Sequence, residues 1–221
     1  MTYTAPPSLA TMRDYSTGEL LADGVVHAVA LLAGLIAFPL LLNYALQNAG
    51  AGMLVALIVY AAGFFLMFGF SLAYNMVPPS ALKWLLRRCD HSMIYIMIGG
   101  TYTAVIAQFD SPAWAWMLGA VVWAAAALGI AVKLALPGRY DRLSILCYVL
   151  LGWLGVIAFG PMSRALPEAS LWLLVAGGLT YVAGVGFFVW NRLRFQNAIW
   201  HLFVAVAAGL HFAAIAVSVG G

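Results

Sequence analysis

The stretch MLVALIVYAAGFFLMFGFSLAYNM, residues 53–76, runs for 24 residues without a charged side chain. A bilayer hydrocarbon core of roughly 30 Å requires about 20 apolar residues in a helix, so this segment reads as a membrane span. It ends on two polar residues, Ser71 and Asn75, whose i,i+4 spacing puts them on one helical face. Working outward, comparable apolar stretches cover 20–45, 91–109, 112–136, 141–161, 169–190 and 197–219. The sequence therefore predicts an all-α polytopic membrane protein, a seven-transmembrane helix bundle. Residues 1–15 form a short polar tail and residues 16–221 a single domain.

Composition supports that class. Hydrophobic residues make up 65% of the 221 and charged residues only 8%, far from the balance of soluble domains. No basic region leads directly into a short apolar run with a cleavage site, so the first span is expected to act as an uncleaved insertion signal. Arg13, Lys83, Arg87, Arg88, Lys133, Arg139, Arg142, Arg192 and Arg194 fall on the side of the N-terminus, and Arg164 alone falls opposite. By the positive-inside rule the N-terminus is cytoplasmic and the C-terminus outside. The basic surplus then reflects orientation and contact with membrane lipids, and no nucleic-acid partner is implied.

Several residues have ordinary structural roles available. Ser16-Thr17-Gly18-Glu19 has capping-box spacing. Pro78-Pro79 stops the second span, and residues 80–88, with Trp84 among basic side chains, read as a short interfacial stretch. Asp110-Ser111-Pro112 reads as a capped helix start, while Asp141 and Glu168 suit helix N-termini. Cys89 and Cys147 are expected as free thiols in a reducing compartment. Gly99-Gly100, Gly177-Gly178, Gly184 and Gly186 are expected where helices approach closely.

A different group asks for more. Asp23 and His27 open the first span, Ser71 and Asn75 close the second, Asp90 and His91 open the third, and Asn197 and His201 open the seventh. The predicted topology puts all of them toward the cytoplasmic face. Polar groups at membrane depth are costly unless they face the bundle interior, so Asp23, His27, Ser71, Asn75, Asp90, Asn197 and His201 are candidates to line a polar cavity. His211 shares a stripe about 80° wide with Asn197 and His201, about 15 Å deeper; it suits either the cavity floor or a hydrogen bond to a neighbouring helix.

The residues 19–27 (Glu-Leu-Leu-Ala-Asp-Gly-Val-Val-His), Ser71-x3-Asn75, Asp90-His-Ser-Met-Ile-Tyr, Gly-Gly-Thr-Tyr-Thr (99–103) and Asn197-x3-His201-Leu-Phe together resemble the hemolysin III family. That family is grouped with the progestin and adipoQ receptors, and more widely with alkaline ceramidases. The resemblance implies a bacterial inner (plasma) membrane protein with a zinc site built from one histidine on the second helix and two on the seventh, and an aspartate on the third that holds the metal-bound water. Ser71, Asp90 and His201 match this pattern, whereas Asn75 and Asn197 occupy the other two ligand positions. A carboxamide is a much poorer zinc ligand than an imidazole, so the ligand count argues against a tight zinc site of that kind. His27 or His91, with Asp90 and His201, is a conceivable replacement. The functional expectation is a protein binding or sensing a lipid-like or small ligand at a degenerate zinc site. The alternatives are a zinc-dependent lipid amidase with Asp90 and Ser71 as catalytic residues, and a proton-coupled channel or transporter. No residue carries the cytolytic activity that the family name implies, and oligomeric state has no signal in the sequence.

Overall fold

The computed structural model describes residues 15–136 and 140–220, within which every regular element is helical. Arg13 and Arg139 of the charge argument lie outside the described residues. The elements are α1 (Thr17–Asn48), α2 (Ala51–Met76), α3 (Ala81–Ile106), α4 (Pro112–Ala135), α5 (Asp141–Gly152), α6 (Phe159–Ala165), α7 (Glu168–Val189) and α8 (Gln196–Gly220), with one 3-10 turn at Leu154–Val156. Among the described residues, α1, α2, α4, α7 and α8 each have the length and hydropathy of a membrane span. A sixth span is counted if the bent segment Leu143–Val156 plus Phe159–Ala165 is taken as one.

Two sequence expectations are corrected here. Residues 80–88 are not a separate interfacial stretch: Ser80 caps a helix that continues unbroken to Ile106. Nothing in Lys-Trp-Leu-Leu-Arg-Arg breaks a helix, so the basic turns and the apolar turns form one α3. The expected span 141–161 is instead broken, and its two parts meet at 59°. A break at this depth exposes backbone groups that hydrocarbon cannot satisfy. Tyr102 on α3 supplies the remedy, since its hydroxyl donates to Gly152 O at 3.0 Å and accepts from Gly155 N–H at 2.7 Å. Tyr102→Phe leaves both groups unpaired and is expected to destabilise the protein by about 2 kcal/mol, read from unfolding in mixed micelles; an unchanged midpoint would mean the phenol does not hold the bend.

Helices α1 to α4 pack consecutively, α8 returns to lie against α1, and α7 covers α8. Small residues set the closest crossing. Gly63 of α2 faces the backbone of Ile96 and Met97, and Gly100 of α3 faces that of Val59 and Tyr60; a Cβ at either would lie 3.0–3.1 Å from those atoms. This reciprocal contact lets two helices approach without a hydrophobic driving force from water. Phe38 of α1 fills the middle of the bundle, with ring centroids 5.1–5.6 Å from Tyr60, Phe64, Phe65 and Phe212. The aromatic layer packs α1, α2 and α8 against one another about three helical turns from His27 and His201.

The start of α1 is held by the expected capping box, with the Ser16 N–H and hydroxyl on Glu19 Oε2 at 3.0 and 2.9 Å. Glu19 does more than cap, because its Oε1 accepts the N–H of Phe195 at 3.1 Å. Phe195 has φ 57°, a left-handed conformation unfavourable for a side chain of that size, immediately before α8. This tether sets the beginning of α8 beside the beginning of α1. The Asp110 expectation is corrected: Ser111 is the N-cap, without a side-chain cap bond, and Pro112 begins α4.

Candidate polar site

The buried residues of α1, Asp23, His27, Ala30, Gly34, Phe38, Leu41 and Ala45, follow a 3–4 spacing. Asp23 and His27 therefore begin the same stripe that carries Phe38 into the core. On α2 the i,i+4 spacing aims Ser71 and Asn75 at the same place, and on α8 it aims Asn197 and His201 there. His27 and Asp23 are 0% and 2% exposed.

The side chains form a closed hydrogen-bonded ring across three helices. Asn197 Nδ2 donates to Asn75 Oδ1 at 3.0 Å and to Asp23 Oδ2 at 3.3 Å. Asn75 Nδ2 donates to Ser71 O at 2.9 Å and more weakly to Ser71 Oγ at 3.4 Å. Ser71 Oγ lies 3.4 Å from His201 Nε2, and His201 Nδ1 meets Asp23 Oδ1 at 2.5 Å. With His201 protonated on Nδ1, Ser71 donates to Nε2 and every donor has an acceptor. The Asp23 carboxylate accepts from Asn197 and His201, and Asn75 and Ser71 close the ring behind them, which is how a buried acid is tolerated.

His27 stands beside the ring. Its Nδ1 lies 2.8 Å from Asp23 O, its ring is 4.4 Å from that of His201, and its buried Nε2 has no hydrogen-bond partner. Asp90 of α3 lies near Ser71 and His201. All seven expected cavity residues thus gather at one end of the bundle. They are packed against one another, however, and a groove of about 400 Å³ lies instead at the opposite end of α1 and α8.

Two histidines are not brought in. His91 turns away, with Nδ1 3.9 Å from Asp141 and Nε2 3.9 Å from Asp90. His211 bridges to α7 through Leu174 O at 3.2 Å and packs on Tyr181. Sequence reasoning placed Asp23 among the cavity residues without singling it out, yet it accepts from both Asn197 and His201. The signal was its membership of the buried α1 stripe. Asp141 was read as a helix-terminal acid; it also pairs with Arg87 at 2.6 Å and with the buried Lys133 at 2.8 Å.

A family model described as haemolysin-III related matches residues 19–212. The chain belongs to the haemolysin III family. Hemolysin-3 of Bacillus cereus is 34% identical over 194 residues, covering 88% of this chain and 89% of that protein. The hemolysin-3 homolog of Bacillus subtilis (strain 168) is 30% identical over 190 residues, covering 86% and 89%. A more distant similarity, 30% over 128 residues, joins this haemolysin III protein to the human monocyte to macrophage differentiation factor, over 58% of this chain and 52% of that protein. No solved structure matches. The family and the apolar helices together establish a membrane protein.

The zinc set implied by the resemblance does not fit this haemolysin III chain. Asn75 Oδ1 already accepts from Asn197, and both carboxamides direct their N–H groups into the ring. A different donor group does converge: Asp23, His27 and His201 each offer a ligating atom within 4.8 Å of the others.

Proposed function

We propose that the protein is a receptor-like protein of the bacterial inner membrane that binds an acyl lipid between α1 and α8 and reports it at the polar ring. In this reading α3 and the bent α5–α6 segment complete seven passes, the N-terminus is cytoplasmic, and the ring faces the cytoplasm. The supporting observation is that one helix pair carries both features. Ala37, Leu40, Leu41 and Tyr44 of α1, with Phe212 and Ala216 of α8, line the groove; Asp23 of α1 and His201 of α8 form the shortest contact in the ring. A chain wedged between the helices at one end alters their spacing, and a 2.5 Å hydrogen bond at the other end is sensitive to small changes of that kind. Apolar lining without a polar anchor selects an acyl chain over a small polar molecule.

The test is photocrosslinking in membranes with a diazirine fatty acid. Leu41→Trp, which fills the groove, is expected to lower labelling of α1 and α8 several-fold, whereas Leu128→Trp on the exposed face of α4 leaves it unchanged. Labelling spread evenly over all lipid-facing helices, or insensitive to Leu41→Trp, would refute the reading.

A lipid amide hydrolase is the second reading, and it has one observation in its favour: Asp90 lies near Ser71, whose hydroxyl contacts His201. Asp90 would take the proton of an attacking water and Ser71 would orient it. A bound divalent cation supplies the lowered water pKa that such a reaction needs. Release of fatty acid from an N-acyl lipid, lost in Asp90→Asn, distinguishes this reading from the receptor.

A further inference from the structure

His91, which the polar ring leaves out, stands between that ring and the surface. Side-chain exposure falls in steps from 35% at Asp141 to 20% at His91, 14% at Asp90 and 2% at Asp23. The imidazole spans the two outer acids: Nδ1 lies 3.9 Å from Asp141 Oδ1, and Nε2 lies 3.9 Å from Asp90 Oδ2. Both separations are too long for a direct hydrogen bond, and a small rotation of the ring closes either one or admits a bridging water.

The groups around the ring have separate parts. Arg87 and Asp90 face it from α3, Lys133 from α4, and Asp141 and Tyr148 from α5. The Tyr148 hydroxyl donates to His91 O at 2.8 Å and holds the backbone under the ring. Arg87 and Lys133 bind Asp141 at 2.6 and 2.8 Å, which keeps it a carboxylate. Asp141 is therefore no carrier, but its charge steadies an imidazolium at Nδ1. Asp90 is the other acid beside the ring, and it lies near Ser71. We propose that His91 relays protons between cytoplasmic water and Asp90, so that the buried polar site exchanges protons while the bundle stays closed. A proton taken from water at Nδ1 makes the imidazolium. The Nε2 proton then passes to the Asp90 carboxylate, leaving a neutral imidazole and a neutral acid; release runs the same steps backward. The relay rests on the reading above only for the side of the membrane it faces, and holds whether the ring reports a lipid or hydrolyses one.

The test is a pH jump on the detergent-purified full-length protein, followed by time-resolved infrared spectroscopy of the protonated-carboxyl stretch that Asp90→Asn removes. His91→Gln is expected to slow the response of that band by about 100-fold, within the contribution of a positioned acid–base group. Imidazole added to the buffer is expected to restore the rate in proportion to its concentration, which repair of a merely structural defect would not do. His211→Gln, away from the path, is expected to respond as wild type. A His91→Gln response as fast as wild type overturns the relay, as does a slowed response that imidazole leaves unchanged or the absence of any band lost in Asp90→Asn. If His91→Gln does not fold, carbethoxylation of wild-type His91, mapped by mass spectrometry, takes its place: slowing that hydroxylamine reverses is expected, and an unaffected rate overturns the assignment.

Discussion

Asp23→Ala is expected to lower unfolding stability by about 3–5 kcal/mol, because it strands two buried donors at about 1–3 kcal/mol each. The carboxylate is 2% exposed and is the shared acceptor for His201 and Asn197. Without it the His201 Nδ1 proton and one Asn197 N–H face a small cavity, and neither has another helix to turn to. The conservative Asp23→Asn keeps the shape and a carbonyl oxygen, so its loss should fall to about 1–2 kcal/mol. Unfolding in mixed micelles, followed by helical circular dichroism, separates the two variants. Equal losses would mean that shape, rather than the acceptor, is what the site requires.

Asp141→Ala is expected to cost about 3 kcal/mol, at the low end of the same range because the acid is itself partly exposed. Its two partners differ. Lys133 is 2% exposed and donates to Asp141 Oδ1 at 2.8 Å, so removing the acid strands an ammonium inside the protein. Arg87 also binds Asp141, at 2.6 Å, but can reach water. Lys133→Met should therefore be mild, about 1 kcal/mol, since Asp141 keeps Arg87 and the methionine fills the same space. If Lys133→Met proved the more damaging of the two, the account of which charge is stranded would be wrong.

The comparison with the sequence turns on what each signal encodes. Apolar length is a local property, and it located α1, α2, α4, α7 and α8 to within a few residues. The i,i+4 polar pairs aim two side chains in one direction, and that spacing alone groups Asp23, His27, Ser71, Asn75, Asn197 and His201. The failures are all matters between elements. Residues 80–88 read as interfacial because charge density was weighed above helical continuity. The break in 141–161 has its stabilising oxygen on another helix, at Tyr102, beyond the reach of any window on the bent segment. Lys133 counted toward orientation among the basic residues on the N-terminal side, and its burial depends on Asp141, eight residues later, which pairs with it. The ranking within the site also escaped, because which acid accepts the His201 proton depends on the approach of α1 to α8, set by the Glu19–Phe195 tether.

The Tyr102 phenol carries one more implication, for transplantation. The instruction to turn at 152–156 is written partly on α3, in an oxygen about fifty residues upstream. Residues 141–165 moved alone into a foreign bundle would bring the sequence of the elbow but leave its fastener behind. A drift from tyrosine to phenylalanine at position 102, conservative to any hydropathy scale, would unlock a segment it never adjoins in the chain.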